Sequence, residues 1–404
     1  MKIKAGTHPL RQRETSLLKA GFPPEKKSTL QAEGDAGRDR LDLSLKQAEE
    51  KPGELKKWTV LAYLGADNNL GTAQMANMQR MSAAGSGPEV NIAAQLDVKG
   101  GGASRFKLGK SRSVPQLVKR FGPTDSGDPK VFEDFLKWGI KNYPAQNYLI
   151  VIGSHGGGIK GVIQDDTSDS LMPIPDFKQA LKTAEKAGGV DKSQVNLLFD
   201  ACLMGQTEVA YEFQEVADTM IASEQSIISA SFPYRSLIAQ LASQEPQQTL
   251  ESIPGMVNSL KVPNIALLKL NKMPGVKKSV EKLAAALLKT PAPPQAVKEI
   301  ITRDTRNFSV ARGRKPYMNF IDLYDLAEKL KNSPEIQDKK LKSAAASVMK
   351  AVDKAVVERQ SSSDAHGLSI YASGDQADYE EFKYARLAFA QDSLWPKAMK
   401  KFAG

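Results

Sequence analysis

Two potentially reactive side chains in this sequence follow short apolar runs. Cys202 is the single cysteine in 404 residues and ends the stretch VNLLFDAC. His155 follows YLIVIGS and precedes Gly156, Gly157 and Gly158. A lone cysteine forms no internal disulfide and builds no thiolate metal site by itself. It serves as a nucleophile when a neighbouring imidazole takes its proton, because only the thiolate attacks and a free thiol has a pKa of about 8.5. The bland readings stand beside this one. Unpaired cysteine is often buried filler, and a histidine before glycines is often a turn residue.

The glycines let the backbone turn sharply and approach a substrate closely. The N–H groups of Gly156 and Cys202 are candidates for an oxyanion hole. Asp200 stands two residues before Cys202, so a strand through both turns them to one face, where the carboxylate could hold a basic substrate side chain. A helix predicted over LMGQTEVAYEFQEVA places its N-terminal dipole just behind the thiol.

Other chemistries fit less well. Three histidines and one cysteine without an HExxH motif argue against zinc. GxGxxG is absent, LGKS at 108–111 has Ser104 where a P-loop needs glycine, and no GxSxG elbow accompanies the HGGG string. Asp165, Asp166 and Asp169 could bind calcium, although a solvated loop is the simpler reading. The expectation is therefore no resident cofactor, with calcium left open. His8 lies in a polar N-terminal stretch. His366 opens an apolar segment, HGLSIYAS, which puts it on the rim opposite His155 if that strand is parallel to the others.

The elements that must position these residues alternate. Buried strands are predicted at WTVLAYLGAD (58–67), VNIAAQLD (90–97), NYLIVIG, KGVIQDD, VNLLFDA (195–201) and DTMIASE (218–224). Helices fall around 70–83, in SGDPKVFEDFLKWGIKNYP, in IPDFKQALKTAEKAG and after Cys202. This rhythm predicts an α/β/α sandwich with a mainly parallel central sheet. Sites in such sheets lie at the carboxyl ends of strands, where both His155 and Cys202 fall. From about residue 235 the pattern is mostly helical, with strands at PNIALLKLNK and HGLSIYAS. Three segments result: a flexible basic arm over 1–56, a catalytic core over 57–234, and a helical part over 235–404 that packs on the core or partly completes its sheet.

Composition bounds the partners. Lys and Arg number 56 against 46 Asp and Glu, a net charge of +10, yet the basic residues are scattered and aromatics are 7%. Nucleic-acid modules combine clustered basic residues with stacking aromatics, so a basic solvated surface is expected and nucleic acid is not. No apolar run approaches the roughly 20 residues of a membrane span, and the first residues show no apolar h-region. The expectation is a monomer in the cytoplasm, with secretion as the alternative.

WTVLAYLGADNNL, the segment GDPKVFEDFLKWGIKNYPAQNYLIVIGSHGGG and the block FDACLMGQTEVAYEFQEVADTMIASE together resemble the clostripain-like cysteine peptidases. These belong to the broad clan of caspases, legumains and gingipains. FIDLYDLAEKL, HGLSIYAS and SLWPKAMKKF resemble the family's C-terminal elements, so the likeness runs over most of 58–403. It implies a caspase-like core and hydrolysis of polypeptide substrates through an acyl-enzyme. Cys202 is then the nucleophile, His155 the general acid/base, and Asp200 the acid of a pocket that selects Arg or Lys. Relatives often carry an acidic, glycine-rich loop after the strand ending in Ser-Glu. Here QSIISASFPY (225–234) has neither acid nor glycine, so basic specificity rests on Asp200 and Glu224. The alternative reading is a non-catalytic peptide-binding or scaffold protein on the same fold; intact His155, Cys202 and Asp200 argue against it.

Overall fold

Side-chain alternation along three strands decides the layers. In β1 (Lys56–Ala66), Val60, Ala62 and Leu64 face one side, while Leu61 and Tyr63 face the other. In β5 (Ala145–Gly153) and β8 (Val195–Asp200), Leu149, Val151 and Leu198 share the first face; Ile150, Ile152, Leu197 and Phe199 share the second. Strands apolar on both faces must be covered on both, which is why they read as unbroken apolar runs.

The computed structural model describes residues 55–228, 231–257, 262–308, 310–312, 315–362, 364–375, 383–391 and 393–403. The predicted arm lies almost wholly outside them. Elements are numbered in chain order. Five parallel strands form the centre of the sheet in the order β9–β8–β5–β1–β2, with β2 at Val90–Val98 and β9 at Thr219–Ala222. Antiparallel pairs extend it: β3 (Gly102–Leu108) and β4 (Gln116–Gly122) beyond β2, β10 (Asn264–Lys269) and β14 (Val356–Ser361) beyond β9. The first face is covered by α1 (Gly71–Ala84), α5 (Tyr234–Ser243) and α6 (Pro246–Met256). The second is covered by α2 (Pro129–Asn142), α3 (Ile174–Gly188), α4 (Thr207–Phe213), α7 (Met273–Lys289), α8 (Pro294–Glu299), α9 (Leu323–Asn332), α10 (Lys339–Ala355) and α11 (Trp395–Phe402). The architecture is the expected α/β/α sandwich.

Local sequence explains its parts. Asp128 caps α2 by accepting from Lys130 N at 2.8 Å, and Pro129 opens the first turn. Phe132, Phe135, Leu136 and Ile140 then form one buried stripe. Phe132 stacks on Phe177 of α3 with ring centroids 4.6 Å apart. The C-terminal part is tied in by buried carboxylates of α4. Glu208 Oε1 accepts from Tyr371 N at 3.0 Å and from the Tyr384 hydroxyl at 3.1 Å. Glu212 pairs with Lys178 at 2.6 Å and accepts from Ala388 N at 2.8 Å. Among the described residues no helix is long and apolar enough to cross a membrane.

Two predicted strands lie elsewhere than expected. KGVIQDD gives β6 (Val162–Asp165), which pairs with β7 (Ser170–Met172) outside the main sheet. HGLSIYAS gives β15 (Ser369–Tyr371), which pairs antiparallel with β13 (Phe320–Asp322), also outside it. A small hairpin, β11 (Val310–Arg312) and β12 (Lys315–Met318), precedes β13. β6 and β15 are only 4 and 3 residues long, so their apolar content reports burial without reporting which sheet buries it.

One buried acid makes a stability prediction. Glu185 in the last turn of α3 is buried, and its Oε1 has no hydrogen-bond partner among the described residues. Burial pushes its carboxyl up from 4.5 to about 8; Asp191 adds to the rise, while Lys182 and Lys192 oppose it. The folded chain therefore holds a proton there that the unfolded chain releases. Its stabilising effect is complete below 4.5 and lost as pH rises to about 8. Glu185→Gln should raise the melting temperature by a few degrees near pH 8 and leave it unchanged near pH 4, as thermal melts across that range will show.

Candidate active site

Strands β5 and β8 are direct parallel neighbours, with Gly153 opposite Asp200. His155 and Cys202 each stand two residues beyond that matched pair, on the same rim. The loops that carry them touch. A Cβ added to Gly156 would lie 2.3 Å from Cys202 O and 3.1 Å from Ala201 Cβ, so only glycine admits this approach. Gly158, at φ +59°, lies against the buried Gln206 side chain, whose Oε1 accepts from Ile159 N at 2.9 Å. Gln206 thus locks the glycine loop to the segment after the thiol.

The histidine is oriented by the turn after β1. Asn68 builds that turn: its Nδ2 donates to Gly65 O at 3.2 Å and Gln164 O at 2.8 Å, and its Oδ1 accepts from Leu70 N at 2.9 Å. Asn69 Oδ1 accepts from His155 Nε2 at 2.6 Å. With the proton on Nε2, the lone pair is on Nδ1. Burial holds the imidazole below its ordinary range, and Asp166 pulls more weakly the other way. A neutral ring near pH 7 is what a general base requires.

Cys202 is partly buried in a turn beyond β8, followed by Leu203 at φ +65°. Ile227 N donates to Sγ at 3.4 Å, and the thiol donates to Ile227 O at 3.7 Å. Gln225 O accepts from Leu203 N at 3.2 Å. The Gln225–Ile227 stretch thus lies along the thiol. Among the described residues the N–H groups of Gly156 and Cys202 have no backbone partner.

Several sequence expectations need correction. β8 ends at Asp200, so Cys202 is not on the strand and alternation does not turn the two side chains to one face. Asp200 points to the first face, where its Oδ2 accepts from Asn77 Nδ2 at 2.8 Å and from the Tyr234 hydroxyl at 2.9 Å. Helix α4 begins only at Thr207, because Gly205 is held against Ser223 and Glu224 and the extended Gln206 bridges to Ser369, so its dipole does not act on the thiol. Glu224 does not join Asp200. It is fully buried toward the C-terminal part; its Oε2 accepts from Gly367 N at 2.7 Å, and burial with the nearby Asp322 raises its carboxyl well above the usual range.

The remaining candidates also have definite surroundings. His366 is not on the opposite rim: Gly367 meets Glu224, and Ser369 N donates to Gly205 O at 3.0 Å. His366 Nδ1 lies 3.1 Å from Asp322 Oδ2, and its ring stacks on Tyr324 at 4.4 Å. In the 165–169 loop Asp165 is buried rather than solvated. It accepts from Ser126 N at 2.9 Å and Ser168 N at 2.8 Å. Asp166 pairs with Lys99 at 3.3 Å. Among the described residues, no three His, Cys, Asp or Glu side chains are grouped to hold a metal ion. Sequence reasoning missed Asn69 and Gln206, although ADNN was visible as a turn and Gln206 follows the cysteine block closely.

The Gly156 contact has a direct consequence. Gly156→Ala should lower activity about 10²-fold, since a displacement on the order of 1 Å between reacting groups costs that much. The clash falls on backbone, so the melting temperature should fall as well. Kinetics and a thermal melt on one preparation check both.

The Clostripain family model, peptidase C11, matches residues 62–402. Clostripain of Hathewaya histolytica is 27% identical over 217 residues, a stretch covering 44% of this chain and 41% of that protein. The matched stretch is therefore under half the length of that relative. Among solved structures, iotapain, a secreted C11 cysteine protease from Bacteroides thetaiotaomicron, has a TM-score of 0.65 at 16% identity, covering 84% of this chain and 99% of that one. An inactive zymogen C11 protease from Parabacteroides distasonis has a TM-score of 0.64 at 18% identity, with 84% and 99% covered. A secreted Bacteroides thetaiotaomicron C11 protease in complex with an irreversible peptide inhibitor has a TM-score of 0.62 at 21% identity, with 85% and 99% covered. At such identities the likeness is one of fold, and it makes the sandwich caspase-like. With the family model spanning most of its length, the chain belongs to the clostripain family of C11 cysteine peptidases.

Proposed function

We propose that this chain is a cysteine endopeptidase that cuts polypeptides after Arg or Lys through an acyl-enzyme. The observation that carries the reading is the backbone contact of Gly156 with Cys202, which sets the imidazole and thiol loops side by side on one rim.

In this mechanism Nδ1 of His155 takes the Sγ proton, and the thiolate forms a bond to the scissile carbonyl carbon. The carbonyl oxygen becomes an oxyanion facing the Gly156 and Cys202 N–H groups. The imidazolium returns its proton to the leaving amine as the C–N bond breaks. His155 next takes a proton from water as its oxygen attacks the thioester, and Sγ leaves with its electron pair and takes that proton back from the imidazolium. Ile227 N and O touch the sulfur in the free chain, so both must leave before a substrate carbonyl can approach.

Asp200 is the acid proposed for the basic side chain. Its Oδ2 is held by Asn77 and Tyr234, while its buried Oδ1 has no partner among the described residues. Burial pushes this carboxyl up to about 6, against the hydrogen bonds from Tyr234 and Asn77 and the charge of Arg80. Preference for Arg and Lys should therefore strengthen as pH rises through about 6. Asp200→Asn should lower kcat/KM on Arg and Lys substrates about 10²-fold and leave neutral substrates nearly unchanged. Peptide-library profiles of both proteins test this. Equal loss on every substrate would assign Asp200 to holding the loop, and the basic preference would need another acid. The scaffold reading has no observation in its favour.

A further inference from the structure

On the rim opposite the thiol, α7 and α10 flank an open groove of about 400 Å³. The placement follows from connectivity: Leu270–Lys272 follow β10, whose last residue pairs with Thr219 at the start of β9. Lys272, Lys278, Lys282, Lys350 and Lys354 line this groove. All five are exposed and, among the described residues, none makes an ion pair or hydrogen bond, whereas Lys57, Lys99, Lys137, Lys178 and Lys269 each meet a carboxylate.

The carboxylates of these two helices are turned elsewhere. Glu281, the single acid of α7, accepts from the Ser393 hydroxyl and from Leu394 N. Asp353, the single acid of α10, does not line the groove and acts on Tyr324. Like charges across a groove repel, and no acidic residue is among its lining. The first turn of the 17-residue helix α7 adds to the positive field. Gly275 lines the groove there, and a Cβ on it would meet nothing within 4 Å, so its backbone is open to a ligand.

We propose that this groove binds a ligand carrying clustered phosphate groups. Five ammonium point charges with no arginine fork suit tetrahedral phosphate better than a planar carboxylate. The lining has no aromatic side chain to stack a base, which disfavours nucleic acid. The phosphates come from a free polyphosphate or from an anionic lipid headgroup, and the test separates these sources. Because the groove lies at the opposite end of the strands from Cys202, this proposal is independent of the peptidase reading.

The test is calorimetric titration of the full chain with sodium tripolyphosphate at low salt, alongside sedimentation with vesicles of phosphatidylglycerol and of phosphatidylcholine. The variants are Lys278→Gln with Lys350→Gln in the groove, and Lys130→Gln with Lys141→Gln on α2 as a control of equal charge. Saturable tripolyphosphate binding weakened at least about tenfold by the groove pair and unchanged by the control supports a free polyphosphate. Sedimentation with phosphatidylglycerol alone, lost in the groove pair only, supports a lipid headgroup. Absence of binding to either probe, or equal weakening by both pairs, overturns the proposal.

Discussion

Cys202→Ala should remove peptide hydrolysis, with kcat/KM down by about 10⁴-fold or more, while the melting temperature stays near that of the parent chain. The size of the loss follows from the role: without sulfur no acyl-enzyme forms, and what survives is binding and oxyanion stabilisation. The small structural cost follows from the position. Cys202 lies past the end of β8, partly buried, and its Sγ partners are backbone groups of Ile227. Truncating such a side chain removes one sulfur from the edge of the core, so the stability change should stay within about 1 kcal/mol. Steady-state kinetics and a melt on the same sample decide it. Activity within tenfold of the parent would mean that the thiol is not the nucleophile.

His155→Ala should cost about 10²–10⁴-fold in kcat/KM, the usual contribution of a positioned base. It should also change the pH profile. Burial lowers the His155 pKa, so the parent enzyme should lose activity on acidification below the ordinary histidine range, as the imidazole takes up a proton. In the variant that limb should be gone. His366→Ala is the matched control. Its ring bonds to Asp322 and stacks on Tyr324, so its loss should change kinetics little. A comparable fall in both variants would mean that the imidazole loss acts through stability.

Legibility in the sequence tracks the range of the interactions involved. β1, β5 and β8 are readable because burial on both faces leaves continuous apolar runs, and α2 because Asp128, Pro129 and its phenylalanines are local signals. The short β6 and β15 are readable as strands but not as members of their own two-stranded sheets. The rim carrying His155 and Cys202 follows from strand order once β5 and β8 are neighbours. The pairing of Asp200 with Glu224 does not follow. The alternation that buries Leu198 on the first face takes Asp200 with it, and Glu224 is drawn to Gly367 by a contact 143 residues away in sequence. Asn69 and Gln206 act across 86 and 47 residues, so no local pattern announces them.

The central claim is that Cys202 carries the acyl group during turnover. Acid quenching in the first turnovers of a peptide ester ending in Lys, followed by intact-mass and fragment analysis, tests it most directly. The account predicts one acyl group per chain, located on Cys202, that forms far more slowly in His155→Ala. Turnover of the same ester with no adduct, or with the adduct on another residue, would contradict it.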